Sequence, residues 1–314
     1  LPILGSAWAV TAWDFPGRKI LSWALLLPLA MPTYIVAFAW LDLLHPIGPL
    51  QTFIRFLLGF DSPRQFRLPD LRSLSGAIIL LGLVLYPYVY LTTRAMFISQ
   101  PAHLLEAART LGCSATGTFF RVALPMARPA LAVGISLALL ETLNDIGASE
   151  FLGVQTLTVT VYTTWISRSD LSAAAQIACM MLMFIFLILT LEFYGRRKQG
   201  FSSRSLREIQ PTRVQGWRGW LLGGVISLPV LLGFLAPVLF LMWESAKRIG
   251  DENPLSSSLL SSLQNTLSLA AGTTLVVVCV SMLVAWSARH SAADNAMPGF
   301  RRGVIAESGK VSNL

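Results

Sequence analysis

Long apolar blocks alternate with short polar stretches along the whole chain. Seven apolar segments can be read: Leu1–Ala12, Ile20–Leu44, Leu74–Phe97, Pro129–Ile146, Ala173–Tyr194, Trp220–Trp243 and Thr266–Trp286. A helix needs about 20 predominantly apolar residues to cross the hydrocarbon core, and all but the first segment reach that range. The first, opening at Leu1, reads as the tail of a span that begins upstream. Pro28, Pro32, Pro87, Pro229 and Pro237 lie inside these segments. Neighbouring helices can satisfy the backbone groups that proline frees in a membrane. The pattern therefore predicts an all-α, polytopic transmembrane helix bundle.

Composition agrees. Of 314 residues, 54% are hydrophobic and 13% charged, against about 25% charged in soluble domains. The net charge of +8 does not indicate a nucleic-acid partner, because the basic residues lie between the apolar segments. Their distribution instead orients the bundle. Loops 14–19, 94–128, 195–218 and 289–314 hold 17 of the 24 Lys and Arg residues, and the alternate loops 42–73, 150–172 and 244–263 hold 7. The first set is expected on the cytoplasmic side. Its densest part, Arg196, Arg197, Lys198, Arg204, Arg207, Arg213 and Arg218, is opposed only by Glu208 and reads as a loop facing membrane lipid headgroups.

Catalytic and metal chemistry find no support. Cys113, Cys179 and Cys279 are far apart, His45, His103 and His290 sit in different loops, and neither set has metal-ligand spacing. There is no His-Glu-x-x-His pair and no Gly-x-x-x-x-Gly-Lys-Ser/Thr loop. The chain is expected to be no enzyme, with no cofactor. No basic n-region precedes the first apolar stretch, so that stretch is not read as a signal peptide.

Loop 98–128 is the most informative. Pro101 suits a first helical turn and Gly112 a C-terminal stop. Between them Leu104, Leu105, Ala108 and Leu111 share one face at helical spacing, with Glu106 and Arg109 on another. Such a short amphipathic helix could fill a groove on a partner or lie on the membrane surface.

The order Glu106-Ala107-Ala108, three residues, Gly112, nine residues, Val122-Ala123-Leu124-Pro125 resembles the EAA signature of ATP-binding-cassette (ABC) importer permeases. Val122 replaces the usual isoleucine. The resemblance implies a type I ABC importer permease fold, in which this segment is the coupling helix that docks on a separate ATPase subunit, itself a dimer. Glu106 would meet the ATPase, Ala107 and Ala108 would allow close approach, Gly112 would make the turn, and Leu124 and Pro125 would re-enter the membrane. A periplasmic substrate-binding protein would be the other partner.

The run Glu141-Thr142-Leu143-Asn144-Asp145-Ile146-Gly147 is similar to a segment of the ferric-iron permeases of that family, with Ile146 in place of Phe. Tyr162-Thr163-Thr164-Trp165, Ala174-Ala175-Gln176 and Leu27-Pro28-Leu29-Ala30-Met31-Pro32-Thr33-Tyr34 also look like that subfamily. Glu141 and Asp145 are four apart, and a charge in a span costs at least about 2.5 kcal/mol. At 1.5 Å per residue, Glu141 would lie roughly 20 Å along its helix from Pro129, in the outer half of the bilayer. Glu141, Asn144 and Asp145 are therefore candidate pathway residues for a hard cation. The alternative is hydrogen bonding to neighbouring helices or to the binding protein.

Pro16-Gly17 and Pro298-Gly299 both follow a span and stand 282 residues apart, which agrees with the two fused halves implied by the resemblance. The same offset would place a second EAA segment near position 388, beyond this sequence. The expected organisation is a first half over 1–198, a basic cytoplasmic linker over 199–218 and the start of a second half over 219–314. Ser308–Leu314 is expected to be disordered. Rival readings are a membrane enzyme, a secondary transporter or channel, and a permease of the same superfamily for thiamine, phosphonate, sulfate or polyamine.

Overall fold

The computed structural model describes residues 2–60, 62–100, 102–197, 211–214, 216–251 and 257–311. It divides into two compact units, Leu1–Glu244 and Ser245–Leu314. In the first unit, α1 (Pro2–Ala12) runs into a two-residue strand, β1 (Trp13–Asp14). The segment expected as one span over Ile20–Leu44 is broken. α2 (Arg18–Ala24) leads into a 3-10 turn at Leu27–Ala30, and α3 (Thr33–Leu43) departs at 93°. Pro32 is the physical cause. It has no N–H to continue the ladder and it drives Met31 into extended backbone, φ −105° and ψ 131°.

Residues 42–73, read as a plain loop, contain α4 (Pro49–Leu58). The next segment, by contrast, is almost as the pattern predicts. α5 (Leu74–Ser99) carries Pro87 without a break, and its cap Ser73 accepts the Gly76 N–H at 3.2 Å. After it come α6 (Ala102–Thr110), α7 (Ala115–Thr118), a π turn at Phe119–Ala123 and α8 (Leu124–Asn144). This span begins at Thr116, not at Pro129, because Pro129 sits inside the helix and the preceding apolar turn extends it. Short helices α9 (Gly147–Phe151) and α10 (Leu157–Ile166) occupy what was read as the next loop, followed by α11 (Leu171–Arg197).

Most of the basic linker, residues 198–210, lies outside the described residues. Its end folds back. β2 (Thr212–Arg213) pairs in parallel with β1, Trp13 opposite Thr212 and Asp14 opposite Arg213. α12 (Trp217–Val230), a π turn at Leu231–Leu235 and α13 (Ala236–Asp251) follow. α12 packs on α2, so the first compact unit extends past the linker. The second unit is dominated by α14 (Ser257–Val311). Ser308–Val311 is helical, against the expected disorder. Past Pro298 the chain holds no proline to interrupt the ladder, and residues 312–314 lie outside the described set. Among the described residues, five helices are long and apolar enough to span a membrane, or six if the bent α2–α3 pair counts as one.

α5 is the axis of the first unit, and both apolar clusters form along it. One joins Trp8, Tyr90, Phe97, Leu105 and Phe119; the other joins Val36, Leu80, Val84, Ala148 and Leu152. Two contacts set its neighbours. The Tyr90 hydroxyl donates to the Ser22 carbonyl at 3.0 Å. At Gly134 on α8, an added Cβ would stand 2.4 Å from Thr92 Oγ1 and 2.8 Å from Val89 Cα. Only glycine allows this approach of α5 and α8, the small-residue contact that membrane helices favour.

Both π turns end two residues before a proline, Pro125 and Pro237. At the second, Leu232 would bond through its carbonyl to residue 237, which has no N–H. Trp40 on α3 fills the vacancy, donating its indole Nε1–H to the Leu232 carbonyl at 3.0 Å.

Candidate functional site

The EAA segment folds into α6 and the turn that follows it. Pro101 lies outside the described residues. The expected apolar face is only partly realised. Leu105 and Ala108 are buried, whereas Leu104 is exposed and Leu111 is 84% exposed. The helix ends at Thr110, and the turn re-aims Leu111 outward. Gly112 makes that turn with φ +85°, a conformation costly for any residue with a Cβ. The Gly112 N–H donates to the Arg109 carbonyl and the Cys113 N–H to the Ala108 carbonyl, each at 3.0 Å. Together they form a Schellman cap.

Beneath α6 lies an aromatic bed that the sequence reading did not single out. Trp8 and Phe97 meet edge to face with centroids 5.3 Å apart, and Trp8 and Phe119 lie at 5.7 Å. Leu105 packs into this bed, so α6 is pegged at once to α1, to the end of α5 and to the π turn. Gln100, buried at the bend between α5 and α6, donates its Nε2–H to the Ala123 carbonyl at 3.0 Å. A buried amide between two spans was the signal available in the sequence. Leu124 and Pro125 are half-buried at the entry to α8. Glu106 and Ala107 are exposed on the outer side of α6, with Arg109. The sequence-predicted set Glu106, Ala107, Ala108 and Gly112 is therefore divided: Ala108 faces inward, and Glu106 and Ala107 face out.

Glu141 and Asn144 lie roughly 24 and 28 Å along α8 from Pro125, at 1.5 Å per residue, and Asp145 follows the helix end. The structure separates them in role. α8 ends at Asn144 and Asp145 is extended, ψ 108°, so Glu141 and Asp145 do not share a helix face as expected. Asp145 Oδ1 accepts the backbone N–H groups of Ala148 at 2.9 Å and Ser149 at 3.2 Å. Oδ2 accepts from the Thr33 hydroxyl. This carboxylate is engaged in joining α8, α9 and α3. Glu141 and Asn144 are exposed. Among the described residues no three His, Cys, Asp or Glu side chains gather as a metal site.

Residues 2–200 match the family described as the inner membrane component of binding-protein-dependent transport systems. The sulfate transport system permease protein CysT of Salmonella typhimurium is 28% identical over 204 residues, 62% of this chain and 70% of the relative. The putative 2-aminoethylphosphonate permease PhnU of Salmonella choleraesuis is 32% identical over 181 residues, 56% of this chain and 62% of the relative. The Fe(3+)-transport system permease protein FbpB 2 of Haemophilus influenzae is 25% identical over 291 residues. That match covers 90% of this chain, which spans about half of the relative, 52%. Among solved structures, a chain of a bacterial alginate ABC transporter in complex with an alginate-bound periplasmic protein superposes with TM-score 0.50 at 18% identity. It covers 63% of this chain and 71% of its own, and it supports the type I permease fold. A multi-pass membrane protein whose first 200 residues match this family, the chain belongs to the ABC importer permeases, the inner membrane components of binding-protein-dependent transport systems.

Proposed function

We propose that this permease translocates ferric iron handed over by a periplasmic binding protein, driven by a separate dimeric ATPase that docks on α6. The observation that carries the iron reading is the extent of the FbpB 2 match. It runs through 291 residues and across the basic linker, whereas the sulfate and phosphonate matches stop within 204 and 181. That extent fits two fused halves, with 1–198 as the first, 199–218 as the linker and 219–314 as the beginning of the second. The Lys and Arg distribution supports a cytoplasmic placement of α6 and residues 195–218 at the inner membrane.

The proposed mechanism is mechanical. Glu106, Ala107 and Leu111 face the ATPase; Leu105, on the opposite side, is seated among Trp8, Phe97 and Phe119. Closing of the ATPase dimer on ATP pulls α6, and the aromatic bed passes that displacement to α1, α5 and α8 together. At the far end of α8, Glu141 offers an oxygen ligand that Asp145, already committed, does not.

The test uses proteoliposomes holding the full-length permease, its ATPase and its binding protein, supplied in parallel with radiolabelled ferric iron and radiolabelled sulfate. ATP-dependent uptake of iron alone is expected, lowered at least tenfold by Glu141→Gln. Sulfate uptake without iron uptake would overturn the iron reading and favour the oxyanion carriers among the relatives.

A further inference from the structure

Helix α4 is inside out for a helix on an aqueous surface. Its buried side chains are polar, Gln51 at 1% and Arg55 at 6% exposure, while Phe53, Phe56 and Leu57 are exposed at 59%, 81% and 65%. A surface helix of a soluble protein has the opposite arrangement. The orientation is held firmly. Gln51 Nε2 donates to the Leu44 carbonyl at 2.6 Å, and Gln51 Oε1 accepts the Leu68 N–H at 3.3 Å. Both chain segments flanking α4 are thereby clasped to its polar face, and neither can fold over the phenylalanines. Only residues 44–48 separate α4 from the end of α3, and α5 starts at Leu74. The helix is thus tethered between two membrane elements, at the end of α5 opposite α6.

Beside the polar face lies a cavity of about 220 Å³ lined by His45, Gln51, Arg67, Asp70 and Arg72. Asp70 does not cancel this charge. It contacts Arg67 only at 3.9 Å, with both side chains more than half exposed, and its Oδ1 accepts the Arg72 backbone N–H at 3.0 Å. Such an exposed pair is weak, and the Arg67 and Arg72 guanidiniums keep donors for an anion. His45 Nδ1 accepts the Ile47 N–H at 3.3 Å, which leaves Nε2 as a donor. On the same buried face as Gln51, one turn on, Arg55 Nη1 has no hydrogen-bond partner. A buried guanidinium nitrogen without an acceptor is unusual.

We propose that α4 lies in the membrane interface with Phe53, Phe56 and Leu57 among the acyl chains, and that His45, Arg67 and Arg72 hold the phosphate of an anionic phospholipid. An interfacial helix of this kind buries its phenylalanine and leucine face at the headgroup boundary, and arginine guanidiniums beside it match the geometry of a headgroup phosphate. The reading requires only that the flanking elements are in a membrane and does not depend on the substrate.

The test uses the full-length chain with Cys113, Cys179 and Cys279 replaced by serine, a nitroxide at Phe56→Cys and a second at Arg64→Cys. Vesicles contain phosphatidylethanolamine and phosphatidylglycerol. Oxygen should collide with the Phe56 label more than an aqueous nickel chelate does, and the order should reverse at Arg64. In native mass spectra of the detergent-purified protein, Arg67→Gln with Arg72→Gln should cut retained phosphatidylglycerol tenfold or more. Arg67→Lys with Arg72→Lys should keep it, and retained phosphatidylethanolamine should be unaffected in either variant. A Phe56 label that meets the nickel chelate first overturns the interfacial placement and assigns the face to a protein partner. Unchanged phosphatidylglycerol retention in the glutamine variant, or its full displacement by inorganic phosphate, overturns the lipid site.

Discussion

Replacing Gly112 isolates the turn that aims α6. An added Cβ meets nothing within 4 Å, so a substitution there is penalised through the backbone alone. At φ +85°, an L-residue with a Cβ pays roughly 1–2 kcal/mol, and asparagine pays less because its side chain tolerates the left-handed region. That difference corresponds to a factor of about 5–30 in an equilibrium. Gly112→Ala should therefore lower the equilibrium constant for the capped turn by that factor, with a fall in crosslinking of up to that factor; Gly112→Asn should recover most of it. The assay is crosslinking from Ala107→Cys to the ATPase in membranes containing both subunits, at equal permease abundance. Crosslinking of Gly112→Ala at the level of the parent would refute the turn's role. Equal loss in the alanine and asparagine variants would refute the conformational argument, since both add a Cβ and only one suits the left-handed region.

Three further outcomes follow from the geometry. Gly134→Leu should force α5 and α8 apart, because even a Cβ meets backbone at 2.8 Å; loss of a folded peak in detergent size exclusion is expected, and a normal peak would refute the close contact. Trp40→Phe removes the donor to the Leu232 carbonyl, leaves that acceptor bare and should lower unfolding stability by about 1–3 kcal/mol, read from thermal melts in detergent. Asp170 is held below the ordinary carboxylate range by the Ala173 N–H first and then the Ser172 hydroxyl. Its folded value lies below its unfolded one, so its support of the first turn of α11 is complete above about pH 4 and lost as pH falls through the folded value. Amide exchange in that turn should lose this acid dependence in Asp170→Asn.

The parts of the fold legible in the sequence are those set by one-dimensional hydropathy. α5 was placed to within two residues because its apolar run is uninterrupted and Ser73 caps it. The break at Pro32 was not legible from composition, because Pro87 is equally internal and does not break its helix. α4 escaped because its ten residues are too few to register as a span, although their apolar and polar positions alternate at helical period, and α10 because its short run of threonines and valines looks like loop or strand. At the candidate site, the EAA spacing located α6 and Gly112 correctly, since a helix and its cap are local. That Leu105 is the buried leucine of α6 while Leu104 is exposed is set by packing on Trp8, more than ninety positions away, and no local pattern carries that. Asp145 was misplaced on the face of Glu141 for a similar reason: Thr33 and the α9 amides draw it off the helix.

The paired π turns bear on how the spans can swing. A regular transmembrane helix resists bending because each flexed turn strains i to i−4 hydrogen bonds that lipid cannot replace. Ahead of Pro125 and Pro237 that ladder is already interrupted, and at the second the indole of Trp40 has taken over one acceptor. Tilting about these two points sacrifices little further backbone bonding, so the halves of each span can pivot as stiff rods with the elasticity confined to one turn.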